Sequence, residues 1–121
     1  MVVVGNAWSI TMLNGDAQVG FKSLSLEEAQ ALVKDAQIVS IVGHPGTAEV
    51  FSRLLKRDIS VERVFYKMNR RCVELDWTRG LNRDPLLIGS LSERLPEGKV
   101  LTTEELESIP ITWWKVELLV R

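Results

Sequence analysis

His44 is the only histidine among the 121 residues of the chain, and its neighbours suit acid–base chemistry. It follows an apolar, strand-like run that ends at Val42 and precedes a helix that we expect Gly46 or Thr47 to cap. The first backbone N–H groups of such a helix lack partners and favour an anion such as phosphate. An imidazole beside an anion site can transfer a proton near neutral pH. The same position also suits an ordinary polar loop residue.

Arg94 and Glu97 form a second candidate group. They lie three residues apart in a loop that contains Pro96, so both side chains can face one site. An arginine and a carboxylate are the charge types that metal-free phosphodiester cleavage uses. The alternative is a surface salt bridge, which contributes little to stability.

Three tryptophans suit one of two roles. Trp8 follows a short predicted strand, in a loop or a single helical turn, where its indole is a candidate for stacking on a nucleobase. Trp113 and Trp114 are neighbours in the last predicted strand. Large aromatic side chains in a strand favour packing in the core or at a dimer interface.

Several well-known motifs are missing from the sequence. The loop at residues 43–47 lacks the lysine and the spacing of a Walker loop, and no dinucleotide fingerprint follows a strand. Residues 88–92 do not complete the nucleophile elbow of a serine hydrolase. One cysteine, Cys72, and one histidine make no cluster of soft metal ligands. We therefore expect neither a metal nor a cofactor.

Composition predicts one soluble domain over residues 1–121, since 45% of the residues are hydrophobic and 26% are charged. No leader or membrane-spanning stretch is evident, so we expect a cytoplasmic protein without a membrane partner. A net charge of −1 disfavours a general ribonuclease or a binder of duplex nucleic acid. Basic residues nevertheless concentrate between residues 53 and 71, which suits either a small anionic ligand or a solvated helix end and hairpin.

Hydrophobic periodicity predicts a mixed α/β fold. Ser25 and Glu28, and again Thr102 and Glu105, have the spacing of a capping box and mark the start of two helices; a third follows residues 43–47. Strands are predicted at residues 2–4, 18–23, 38–42, 61–68, 85–91 and 111–120, with a long hairpin excursion over residues 69–84. The expected architecture is a five- or six-stranded mixed sheet with flanking helices in a single compact domain.

Four blocks of sequence match one known family in order and spacing: residues 6–13, residues 41–47, Arg63 with Val64, and residues 94–102 with 104–106. On these blocks the chain resembles the small viral anti-CRISPR ring nucleases, which degrade the cyclic tetra-adenylate second messenger of type III CRISPR immunity. The blocks are spread over nearly the whole chain. The longer excursion at residues 69–84 departs from the family's compact hairpin.

The resemblance implies a homodimer that binds the ring over its two-fold axis, cleaves it without a metal and acts in the cytoplasm of the host cell. By resemblance, His44, Arg94 and Glu97 are catalytic, and Arg63 is a ligand-binding arginine. The other substrate-binding residues that it implies are Asn6, Ala7, Trp8, Ser9, Gly43, Gly46, Thr47, Ser90 and Ser92.

The chemistry implied is an in-line attack of a ribose 2′-OH on the neighbouring phosphorus. Arg94 and backbone N–H groups would hold the developing charge, and His44 would protonate the departing 5′-oxygen. Glu97 would orient Arg94 or His44, or accept the 2′-OH proton. The products would be di-adenylates with 2′,3′-cyclic phosphate ends. The rival hypothesis is a protein that binds a cyclic nucleotide without cleaving it.

Overall fold

Five strands form one mixed sheet in the part of the chain that the structure describes. The structure is a computed structural model, and it describes residues 1–13, 18–63, 66, 85–91 and 102–119. The strands are β1 (Val2–Gly5), β2 (Val19–Leu24), β3 (Ile38–Ser40), β4 (Leu86–Leu91) and β5 (Ile111–Leu118). The helices are α1 (Leu26–Val33), α2 (Pro45–Leu55) and α3 (Thr103–Ser108), with a short 3-10 helix at Ile10–Met12.

The strand order is β2-β5-β4-β1-β3, and the three strands around β1 are parallel. Val4 of β1 is level with Ser40 of β3, and Gly5 is level with Ile88 of β4. All four residues of β1 are buried, as expected for a parallel strand that is covered on both faces. β5 runs antiparallel to β4 and to β2. The carboxyl ends of β1, β3 and β4 therefore lie along one edge of the sheet.

The helices pack on one side of the sheet, which we call the helix face. Phe51 of α2 lies against Trp113 of β5 with ring centroids 4.9 Å apart, and both side chains are buried. An aromatic pair of this kind contributes about 0.5–1.5 kcal/mol beyond the area that it buries. Other buried members of this core include Val2, Val4, Ala29, Val33, Val42, Ala48, Leu55, Leu87 and Leu106.

The opposite side of the sheet, the second face, is covered in part by the chain that follows β1. Trp8 lies edge-on to Phe21 with ring centroids 5.2 Å apart and an interplanar angle of 89°. Met12 and Leu13 pack there as well, on a core that includes Val3 and Ile88. Of the two alternatives predicted after the first strand, a loop or a single helical turn, the structure has the turn, as the 3-10 helix.

Both predicted capping boxes are confirmed. The Ser25 hydroxyl accepts from the Glu28 backbone N–H at 3.1 Å, and the Ser25 N–H donates to the Glu28 carboxylate at 3.0 Å. Thr102 and Glu105 repeat the arrangement at 3.1 Å in both directions. Each box satisfies two backbone N–H groups that the start of a helix otherwise leaves unpaired.

The predicted α/β class and mixed sheet with flanking helices are confirmed, with five strands in the described residues. The prediction of a strand at residues 61–68 is wrong for residues 61–63, which have no regular structure. Instead, the Glu62 backbone N–H and the Arg63 side chain donate hydrogen bonds to carbonyls of the loop after β3. The predicted excursion at residues 69–84 lies outside the described residues, and the homodimer stays a prediction.

Candidate functional site

His44 is the N-cap residue of α2, the position from which the helix begins. Its backbone is extended (φ −125°, ψ 127°), and its carbonyl accepts from the Ala48 N–H at 2.9 Å. Its imidazole makes no capping hydrogen bond and is exposed. His44 therefore lies at the end of α2 where the N–H groups of the first helical turn favour an anion.

The prediction that Gly46 or Thr47 caps this helix is wrong. Pro45 is the first helical residue, because its ring fixes a helical φ and it has no N–H to leave unpaired at that position. Gly46 and Thr47 consequently lie inside the first turn. Thr47 is buried, with 7% of its surface exposed, whereas Gly46 is open, with no atom within 4 Å of where a Cβ would stand.

Residues 59–63 run alongside the loop that carries His44, in the same direction, and we call them the clamp segment. The buried Ser40 hydroxyl donates to the Ser60 carbonyl at 2.5 Å. Two residues further along, the Glu62 N–H donates to the Val42 carbonyl at 2.8 Å. The path from β3 to α2 is thus held by hydrogen bonds to a segment 20 residues away in the sequence.

Arg63 makes the last of these bonds. Its Nε–H donates to the carbonyl of Gly43 at 3.1 Å, and its Cγ stands 3.6 Å from where a Gly43 Cβ would be. Gly43 is the residue directly before His44. Arg63, predicted only as a ligand-binding residue, therefore also contacts the loop that positions the imidazole.

The first predicted ligand loop, residues 6–9, lies at the end of β1. Asn6 is half-buried and Ala7 is exposed. The hydroxyl of Ser9 accepts from the Thr11 N–H at 3.3 Å and so caps the 3-10 helix. Trp8 is half-buried, and its ring packs on Phe21. The packing of Trp8 is that of a residue at the margin of the core.

The chain leaves β1 and β3 toward opposite faces of the sheet. After β1, Trp8 and Met12 reach the second face. After β3, the chain passes through Gly43 and His44 into α2 on the helix face. Paired strands lie about 5 Å apart, so two neighbouring loops diverge at one point of the carboxyl edge, which we call the divergent edge. In α/β sheets, ligands bind beyond the carboxyl ends of the strands where successive connections diverge in this way.

The remaining predicted residues divide into two groups. Ser90, near the end of β4, is exposed, and strand alternation places its side chain on the second face with that of Ile88. Arg94, Glu97 and Ser92 lie outside the described residues, so their distances from His44 remain predictions. No group of three or more His, Cys, Asp or Glu side chains that could hold a metal ion is found in the described ranges.

The chain is similar to a known protein family and to a virus protein. The model of the STIV B116-like family matches residues 2–113. The chain belongs to the STIV B116-like family. This member is 36% identical over 99 residues to Uncharacterized protein 26 of Sulfolobus islandicus filamentous virus (isolate Iceland/Hveragerdi), a match that covers 81% of this chain and 74% of that protein.

A solved structure supports the same family assignment. B116 of Sulfolobus turreted icosahedral virus superposes with a TM-score of 0.76 at 26% identity, over 96% of this STIV B116-like chain and 97% of that one. Both relatives are virus proteins, which supports the predicted viral character of this one. Among the described residues no helix has the length and apolar character needed to cross a membrane.

Proposed function

We propose that this STIV B116-like protein is a metal-independent ring nuclease that cleaves cyclic tetra-adenylate and so switches off type III CRISPR effectors. The proposal rests on His44 at the divergent edge, whose imidazole is exposed and makes no capping hydrogen bond. α1 and α3 begin with full capping boxes, whereas α2 begins with an exposed imidazole that caps nothing. A residue that breaks a local stability rule at a ligand-binding edge is the pattern expected of a functional site.

The proposed reaction is a transesterification within the ring. The 2′-oxygen of one ribose attacks the adjacent phosphorus, its proton passes to Glu97 or to water, and the P–O5′ bond breaks. His44 donates a proton to the departing 5′-oxygen, which leaves as a hydroxyl. Backbone N–H groups of the first turn of α2, together with Arg94, hold the charge on the phosphorane. Because His44 protonates the leaving oxygen and Glu97 or water accepts the 2′-OH proton, the proposed cleavage has no need of a metal.

The symmetry of the ligand suits a dimer. A ring of four identical nucleotides has a two-fold axis, so two identical subunits can bind it in equivalent ways. Each subunit would supply one His44 and cut one bond, and the two cuts lie opposite one another. The proposed products are therefore two linear di-adenylates with 2′,3′-cyclic phosphate ends.

The alternative function is sequestration, in which the same edge binds a cyclic nucleotide and leaves it intact. Incubating purified protein with cyclic tetra-adenylate and separating the products by chromatography distinguishes the two. Di-adenylates with cyclic phosphate ends support the nuclease, and recovery of the intact ring at stoichiometric protein contradicts it. Linear oligoadenylate of the same length is the matched control, and we expect it to be cleaved far more slowly.

A further inference from the structure

The residue before His44 is a glycine, and the residue after it is a proline. Pro45 is fixed by its ring and by its place in α2, whereas Gly43 has more backbone freedom than any other residue type. The orientation of the imidazole therefore depends on what restrains Gly43. Two hydrogen bonds from the clamp segment do so: the Glu62 N–H to the Val42 carbonyl, and Arg63 Nε to the Gly43 carbonyl.

We propose that Arg63 is a positioning residue for His44, acting through its Nε–H rather than through its charge alone. This inference rests on the proposed function and adds a role that a phosphate-binding arginine does not have. A hydrogen bond from a charged donor is about twice as strong as a neutral one, and this bond fixes the peptide that joins Gly43 to His44. Misplacing a catalytic group by about 1 Å can cost 10²-fold in rate.

Side-chain length allows the donor and the charge to be separated. In Arg63→Gln, the amide nitrogen stands at the same place along the side chain as Nε, so the donor is kept and the charge is lost. In Arg63→Lys, the charge is kept but a methylene replaces Nε. Arg63→Met loses both and keeps a similar shape. Arg63 is exposed, so the three variants leave the core intact.

Steady-state kinetics on the ring decide between donor and charge. For a positioning role, Arg63→Gln raises KM through the lost charge but retains a higher kcat than Arg63→Lys and Arg63→Met, which lower kcat by roughly ten- to a hundred-fold. The opposite order, with lysine active and glutamine inactive, overturns the proposal. Lys34→Gln also removes one exposed positive charge, just before β3 at the opposite edge of the sheet, and controls for the loss of net charge.

Nuclear magnetic resonance of the free protein gives a test that needs no cleavage. With one histidine in the chain, the imidazole signals belong to His44 alone. Wild type and Arg63→Gln are expected to share imidazole shifts and a rigid Gly43 amide, whereas Arg63→Met shifts the ring signals and lowers the Gly43 heteronuclear Overhauser effect. Unchanged signals in Arg63→Met contradict positioning. If wild type leaves the ring uncut, the proposed nuclease function fails and this measurement still decides the role of Arg63.

Discussion

At the scale of the residue, His44 is placed at a cost to stability. An N-cap side chain that accepts a hydrogen bond from the first helical turn contributes about 1 kcal/mol over a residue that does not. Ser25 and Thr102 make that bond, and His44 does not. The imidazole is kept exposed at the one described α-helix that leads away from the divergent edge.

His44→Asn is therefore expected to stabilise the protein while removing its activity. Asparagine is among the best N-cap residues, so the free energy of unfolding should rise by about 0.5–1 kcal/mol. Cleavage of the ring should fall about 10²- to 10⁴-fold with the loss of the general acid. Urea unfolding and product chromatography measure the two effects on one preparation. A variant that is both less stable and still active would contradict both assignments.

Glu28 belongs to the complete capping box at the start of α1, in contrast to the N-cap of α2. The backbone N–H and the hydroxyl of Ser25 donate to its carboxylate, and they lower the pKa of Glu28 below its ordinary value. A lowered carboxyl pKa stabilises the folded protein at pH values above the ordinary pKa of the group. That stability is lost as the pH falls through the lowered pKa.

Ser25→Ala tests this box. The backbone donor remains, so the pKa of Glu28 should rise only part of the way toward its ordinary value, and the free energy of unfolding at neutral pH should fall by about 1 kcal/mol. A carbon-detected titration of the Glu28 carboxyl and urea unfolding measure the two. An unchanged pKa would show that the hydroxyl does not act on the carboxylate, and cleavage of the ring should be unaffected.

At the scale of the element, α2 is held against the sheet by a close approach at β4. A Cβ at Gly89 would stand 2.5 Å from the Phe51 ring and 2.7 Å from the Trp113 ring, too close for a non-bonded contact between carbon atoms. These two rings form the aromatic pair of the helix face. The absence of a side chain at Gly89 is what lets the Phe51 and Trp113 rings, and with them α2, lie close to β4.

Gly89→Ala should accordingly destabilise the protein by about 1–3 kcal/mol, the usual cost of overpacking a core. Gly46→Ala is the matched control, because its Cβ would meet open space within the first turn of α2. Alanine there is expected to be neutral or to stabilise by up to about 1 kcal/mol. Thermal unfolding of both variants checks the contrast, and equal losses of stability would refute the packing argument.

Elements defined by local signals were predictable from the sequence. The capping boxes, the apolar run of β4 and the alternation in β5 depend on neighbours within a few positions, which the sequence displays. The start of α2 was mispredicted because its true N-cap, His44, lacks the side-chain chemistry by which caps are recognised. The clamp segment was missed because its bonds join residues about 20 positions apart, such as Arg63 and Gly43. Residues 61–63 alternate in the way that a strand does, but alternation alone does not specify a neighbouring strand to pair with.

At the scale of the whole molecule, the proposal requires two chains for each ring. The chain has a mass of 13.7 kDa, and a symmetric ligand cut at opposite positions needs two equivalent sites. Titration calorimetry with an uncut ring analogue, methylated on the 2′-oxygens, is expected to give one ring per two chains. A ratio of one ring per chain would contradict the symmetric arrangement while leaving the chemistry of His44 open.

His44 is proposed to protonate the 5′-oxygen that leaves when a P–O5′ bond of cyclic tetra-adenylate breaks. The most direct test of this role is single-turnover cleavage by wild type and by His44→Ala, both with a chelator present and with enzyme in excess over the ring. We expect wild type to cleave the ring to di-adenylates with 2′,3′-cyclic phosphate ends despite the chelator, and the variant to be about 10²- to 10⁴-fold slower. Equal rates for the two proteins, or a wild type that returns the ring uncut, would contradict this role.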